Sequence, residues 1–152
     1  MNTFNLTIDT NNLADQIAAL INSGQQLRYN LTQQSILNGH TRYIIEMDRE
    51  KVIGVIALGQ ENTRVTEMKF LCVHPNYRGQ GLGKKLLEIG IKQATTEFVY
   101  GAVRSDNGVN IRNNFRIGMR PIGKYRGRGC YIIIFAKRRL NNAGYSVYRK
   151  GA

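Results

Sequence analysis

The segment from Val73 to Lys85, VHPNYRGQGLGKK, constrains this chain more than any other. It joins an apolar run, TEMKFLCV (66–73), to an amphipathic one, KKLLEIGIKQA (84–94), and holds glycine at positions 79, 81 and 83. Pro75 has no N–H to give to a sheet, so it ends the strand before it. Leu82, Leu86, Leu87, Ile89, Ile91 and Ala94 recur at the spacing of a helix that lays one face on a sheet. A glycine-rich passage from strand to helix is an anion trap. The main chain can approach a phosphate without Cβ obstruction, free N–H groups of the first helical turn point at it, and the helix dipole adds partial positive charge. A diphosphate fits there, and the plain alternative is a tight turn with glycine as punctuation. The phosphate loop GxxxxGK[ST] is absent. A dinucleotide fingerprint is excluded as well, because the glycines read RGQGLG and follow an antiparallel meander instead of opening a parallel βαβ unit.

The rest of the chain gives that junction its surroundings. Residues 3–8 alternate like a short strand, Asp9 or Thr10 can cap a helix that ends near Ser23 and Gly24, and about 29–37 reads as a second short helix. TRYIIEMD (41–48) and KVIGVIALG (51–59) read as a hairpin, followed by the strand at 66–73 and the helix after the glycines. FVYGAVR (98–104) is a strand, 108–117 a helix ending at Gly118, and MRPIGKY and CYIIIFAKR a last hairpin around RGRG. The expectation is an α+β fold, with a mixed, mostly antiparallel twisted sheet of about seven strands and about four flanking helices.

With 152 residues, one domain is expected over 1–140. The basic tail 141–152 is read either as a strand that pairs between subunits of a homodimer or as a flexible arm. No window approaches the roughly 18 to 20 apolar residues of a membrane span, and the N-terminus lacks a secretory layout, so no membrane partner and a cytoplasmic location are expected. Cys72 and Cys130 lie in apolar runs and read as reduced core residues, with too few ligand types nearby for a metal.

The formal net charge is +12 and unevenly placed. Residues 1–100 carry 10 basic and 9 acidic side chains, whereas the last 52 carry 12 basic residues and one acid, Asp106. That asymmetry creates a face that attracts polyanions, or one that only aids solubility.

The glycine junction and its context, EMKFLCVHPNYRGQGLGKKLLEIGIKQA from Glu67 to Ala94, resemble the GNAT superfamily of acyl-CoA-dependent N-acyltransferases. The family hallmark is Arg or Gln, two variable residues, Gly, a variable residue, then Gly or Ala. Arg78, Gly81 and Gly83 fit it, and the element order agrees over nearly the whole chain. The resemblance implies acetyl-CoA as co-substrate. Leu71, Cys72 and Val73 would offer main-chain groups to its pantetheine arm, and Arg78, Gly79, Gln80, Gly81, Leu82, Gly83 and Lys84 would wrap its pyrophosphate. It also implies that Asn107 contacts CoA. Asn114 stands where the family carries a tyrosine that protonates the departing thiolate, which leaves an asparagine N–H or water to stabilise that group, with Tyr100 and Tyr125 as alternative donors that sequence does not place. Glu67, eleven residues before Arg78, has the offset of the catalytic glutamate in histone-acetylating members and is the leading general base. Glu46 and Asp48 are weaker candidates, and His40 and His74 read as structural.

In this architecture the acceptor enters opposite CoA, beside Arg104, Arg112, Arg116, Arg120, Lys124, Arg126, Arg128, Lys137, Arg138 and Arg139, with Tyr125 and Tyr131 among them. Such a surface disfavours polyamines, aminoglycosides and histone-like tails and suits an anionic acceptor: nucleic acid, a nucleic-acid-bound protein, or an acidic protein. Two other readings stand beside acetyl transfer. One is a GNAT-shaped module that binds CoA and nucleic acid or an acidic partner without turnover. The other is a DNA-base modifier that uses acetyl-CoA for different chemistry.

Overall fold

Asp9 starts the first helix, its carboxylate accepting the Asn11 N–H at 3.0 Å. Helix α1 (Thr10–Gly24) places Ile17, Ala18, Leu20 and Ile21 on one stripe, the pattern that makes a surface helix bury one face. The structure is a computed structural model and describes residues 9–25 and 27–139. The strand expected over 3–8 and the tail 141–152 lie outside those residues.

The second helix is shorter than its apolar residues suggest. It runs over Gln33–Asn38 (α2) because Thr32 and Ser35 form a reciprocal capping box that sets its start, and residues 29–31 stay outside it. Three antiparallel strands follow: β1 (Arg42–Asp48), β2 (Lys51–Gln60) and β3 (Val65–Val73). Helix α3 (Leu82–Gln93) crosses to β4 (Phe98–Arg104), which runs parallel to β3. Helix α4 (Gly108–Arg116) then leads to the hairpin of β5 (Arg120–Arg126) and β6 (Tyr131–Arg138). Strand β6 inserts between β4 and β5, giving a six-stranded sheet of order β1-β2-β3-β4-β6-β5 among the described residues. The expected architecture is met, with six strands among the described residues and the strand expected over 3–8 outside them.

Two cores form on the two sheet faces. Val55 packs with α1, α2 and Cys72, whereas its neighbour Ile56 packs with Met68, Leu86, Leu87, Val99, Met119 and Phe135, as alternation along a strand requires. Arg139 ties the end of β6 to the end of α3. Its guanidinium donates at 2.8 Å to the carbonyl of Ile91, one of those left unpaired at the C-terminus of α3, and at 2.8 Å to that of Thr96 just beyond the helix. Cys130 departs from its expected place. It is half-buried in the turn before β6, because β6 begins one residue later and the Cys130 carbonyl closes the turn onto the Gly127 N–H at 2.8 Å.

Leu86 is wholly buried between α3 and the sheet. Leu86→Ala should lower stability by about 2–5 kcal/mol in urea unfolding, with unchanged secondary structure by circular dichroism.

Candidate active site

Strands β3 and β4 pair over three positions, Val65 with Phe98, Thr66 with Val99 and Glu67 with Tyr100, and then part. Two local features drive them apart. Phe70 holds a left-handed φ of 56°, beside the register shift between Val55 and Ala57 of β2, so β3 turns away. Strand β4 stays in ladder with β6 as far as the Arg104–Ile132 pair. Gly101 sits just beyond the last paired position, where an added Cβ would lie 3.2 Å from the Met68 carbonyl; the absence of a side chain permits the close approach from which the strands diverge. The fork opens into a cleft of about 410 Å³ whose walls include Leu71, Val103, Asn107, Asn110 and Asn114.

A second cleft, of about 580 Å³, continues from the first and shares Gln25, Leu71, Asn107 and Asn110 with it. Its far wall is the glycine junction. Gly79 and Gly81 adopt φ of 76° and 81° with nothing within 4 Å of an added Cβ, so glycine is needed for the backbone conformation and leaves open space above it. Gly81 is the N-cap of α3 and supplies no side-chain cap. Among the described residues, the backbone N–H groups from Gly79 to Lys84 find no partner within the chain. Four of these six donors, those of Gly79, Gly81, Leu82 and Gly83, belong to residues that line the cleft at a helix N-terminus, and with Arg78 and Arg116 on the same cleft they fit a diphosphate.

The loop is fixed from outside. The Tyr77 hydroxyl donates to Asp48 Oδ2 at 2.5 Å, Lys85 Nζ meets Glu46 Oε1 at 2.7 Å, and Arg78 Nε donates to the Val73 carbonyl at 3.1 Å. His74 accepts the Asn76 N–H and packs edge-on against Tyr77, the structural place expected of it. Glu46 and Asp48, the weaker base candidates, meet Lys85 and Tyr77, because the β1–β2 hairpin brings them beside those side chains.

The model of the Acetyltransferase (GNAT) family matches residues 12–113. The chain belongs to that family. Solved GNAT-like structures agree in fold: yncA from Salmonella typhimurium, solved with acetyl-CoA, superposes with a TM-score of 0.74 at 16% identity, covering 91% of this chain and 95% of that one. A ribosomal-protein-alanine N-acetyltransferase from Brucella melitensis gives a TM-score of 0.70 at 15% identity, covering 86% and 96% of the two chains. An N-acetyltransferase from Staphylococcus aureus Mu50 gives 0.70 at 14%, covering 84% and 93%. No curated protein matches the chain in sequence.

Within this GNAT fold the expected residues divide. Leu71, Cys72, Val73, Arg78, Gly79, Gly81, Leu82, Gly83 and Asn107 all line the second cleft. Gln80 and Lys84 lie on the junction but not on that wall, and Lys84 meets Glu88 at 3.5 Å. Two of the main-chain acceptors already have partners: the Leu71 carbonyl accepts from Gln25 Nε2 at 3.0 Å and the Val73 carbonyl from Arg78. Asn107 caps α4, its side-chain oxygen accepting the Asn110 N–H at 3.2 Å. Asn114 is buried, and its amide nitrogen donates to both the backbone and side-chain oxygens of Asn110, at 2.8 and 2.9 Å. Its two amide hydrogens are thereby spent within α4.

Glu67 occupies the last paired position before the fork and is half-buried. Burial pushes its carboxyl above the usual carboxylate range, Lys69 pulls it down, Glu61 pushes it up again, and the Tyr100 hydroxyl favours the charged form. Tyr100 is raised as well, by burial first and then by Glu67 and Glu61. Sequence reasoning passed over Glu61, which reaches this group from the β2–β3 turn, where its N–H bonds the Val65 carbonyl at 3.0 Å. It also passed over Gln25, Asn110 and Asn113. For Asn110 the signal was present, since a residue four before Asn114 shares its helix face.

The basic residues expected around the acceptor are partly occupied elsewhere. Arg116 lines the second cleft, Arg104 pairs with Asp106 at 2.8 Å and Arg138 with Glu97 at 3.1 Å. Lys137 donates to the Ile117 carbonyl at 2.8 Å, Arg120 to the Met119 carbonyl at 3.0 Å, and Arg139 caps α3. Arg112, Lys124, Arg126 and Arg128 are exposed, with Lys124 stacked 4.8 Å from the centre of the exposed Tyr131 ring.

Gly81→Val forces a β-branched residue into a left-handed backbone and puts bulk over the amide cradle. It should weaken CoA binding at least about tenfold by calorimetry while far-ultraviolet dichroism stays native.

Proposed function

We propose that the chain transfers the acetyl group of acetyl-CoA to an amine on an anionic acceptor, with nucleic acid or a nucleic-acid-associated molecule as the acceptor class. The observation that carries this reading is the continuity of the two clefts: an amide cradle suited to a diphosphate opens onto a strand fork with a carboxylate at its apex. When bound, acetyl-CoA supplies an acyl group activated as a thioester.

The chain's own residues supply binding, orientation and a base. Backbone N–H groups of residues 79–84 hold the diphosphate, and the guanidiniums of Arg78 and Arg116 add charge along the same cleft. Leu71 and Val73 form the apolar side of the passage leading to the fork, and Asn107 and Asn110 the polar side. An amine attacks only when neutral, so an ammonium must lose a proton on arrival. Glu67 takes that proton, directly or through one water. A carboxyl held above its ordinary range by burial and by Glu61 is a better base than an exposed glutamate, while Tyr100 keeps its charged form accessible.

The anionic acceptor rests on the outer strand. Strand β5 is exposed along its whole length and carries Lys124, Tyr125 and Arg126 in succession. The single acid of the last 52 residues, Asp106, is engaged by Arg104. Cations interleaved with aromatic rings suit phosphates and bases together. The test is incubation of the protein and isotope-labelled acetyl-CoA with host RNA, DNA and protein. Label on an amine borne by RNA or DNA, lost steeply with added salt, is the expected result; label confined to acidic protein would redirect the acceptor class. CoA binding with no thiol release from any fraction would leave only the binding module, and a DNA mass change other than one acetyl group would favour the base modifier.

The pH profile tests the base. The group must be ionised to work, so raising its pKa moves the acidic limb of kcat/KM to higher pH than an ordinary glutamate gives. Glu67→Gln should lower the rate about a hundredfold or more near neutral pH and abolish that limb. Tyr100→Phe removes a group that favours the carboxylate and should move the limb up; Glu61→Gln removes a negative neighbour and should move it down.

A further inference from the structure

The departing sulfur needs a partner, and the orientation of two asparagine amides on α4 indicates which side chain provides it. The Asn110 backbone carbonyl can only accept, so the Asn114 atom 2.8 Å away must be its amide nitrogen. That nitrogen also lies 2.9 Å from a side-chain atom of Asn110, which must therefore be the oxygen. Both side chains are fixed by this reasoning. The Asn110 amide nitrogen is left on the far side of its own carbonyl group, and among the described residues it donates to nothing in the chain. No buried side-chain nitrogen or oxygen among the described residues lacks a partner, so this nitrogen is solvent-accessible. Asn110 is half-buried and lines both clefts, at the junction where one passes into the other.

We propose that Asn110, held by Asn114, is the hydrogen-bond donor that stabilises the CoA thiolate as it leaves. This rests on the acetyl-CoA reading above. As the acceptor nitrogen bonds to the acetyl carbon, the carbon–sulfur bond breaks and its electron pair stays on sulfur, while the amine proton goes to Glu67. Asn110 lends a hydrogen bond and transfers no proton, so the thiolate takes its proton later from solvent. A donor already polarised by an accepted amide hydrogen bond is stronger than an isolated amide, which is the service Asn114 performs. Asn114 is thus a positioning residue, and Asn110 the catalytic one.

The prediction can be read without any acceptor, on the thiol of free CoA bound to the protein. Thiolate ultraviolet absorbance against pH should show bound CoA ionising below free CoA. Asn110→Ala should raise the bound thiol pKa by about one unit, a tenfold change in the ionisation constant. Affinity for desulfo-CoA, which lacks the sulfur, should be unchanged. Asn110→Asp keeps the oxygen that Asn114 needs and should raise the thiol pKa in the same direction, which guards against misfolding of the alanine variant. Asn114→Ala should give a smaller rise. Bound CoA that titrates like free CoA in the unsubstituted protein would overturn the proposal. So would equal losses of CoA and desulfo-CoA affinity in Asn110→Ala, since that marks a purely structural residue. Failure of the unsubstituted protein to bind CoA at all would instead overturn the acetyl-CoA reading itself.

Discussion

Two neighbouring parallel strands cannot stop pairing midway without leaving backbone donors and acceptors to be satisfied by something else. In this protein that departure occurs after Glu67 and Tyr100, and much of the molecule is arranged around it. The left-handed Phe70 bends one strand away, Gly101 allows the other to start close, and β6 keeps the second strand in ladder as it diverges. On the open side the chain answers part of the unmet demand itself. Gln25, just past the end of α1, takes the Leu71 carbonyl and also donates to the Cys72 sulfur at 3.5 Å. The first helix is thereby fastened to the bent strand, and the wedge between β3 and β4 stays open.

The cradle at the start of α3 applies the same logic to a helix end. Its first N–H groups have no partner by construction, and most helices answer them with a Ser, Thr, Asp or Asn cap. Here the cap is a left-handed glycine with no side chain to offer. The donors therefore remain available to a ligand, and the stiffness that a cap would have given comes from outside, through Tyr77 to Asp48 and Lys85 to Glu46. Both ties run to the β1–β2 hairpin. A site with movable donors would have to order them on binding; one held in this way has its donors in place beforehand.

Charge is used in two distinct ways. A carboxylate group sits at the fork, half-buried and raised, with Glu61 and Tyr100 facing it. Cations surround it at a distance, but several of those that looked available are engaged by carbonyls or carboxylates: Arg139 on α3, Lys137 on the end of α4, Arg138 on Glu97. A run of basic residues in sequence overstates the basic surface in space, because helix C-termini and lone acids recruit some of them.

The elements were legible because their signals are local. Apolar period, proline, glycine and capping residues act over a few positions, so α1, the β1–β2 hairpin, α3 and the last hairpin could be read from the chain, as could the glycine cradle, whose donors and backbone angles belong to one short segment. The capping box at Thr32 was equally local, yet the apolar residues before it suggested a longer helix. Residue types on hand were settled there too: a glutamate eleven positions before Arg78, a stripe of asparagines on α4, an excess of cations after residue 100. Only the tertiary structure decided what these meet. Tyr100 reaches Glu67 through sheet order, Arg116 lines the second cleft because α4 packs on α3, and Gln25 meets β3 across 46 positions of chain. Sheet order and helix packing set such contacts, and both follow from how the whole core closes rather than from any short stretch of sequence.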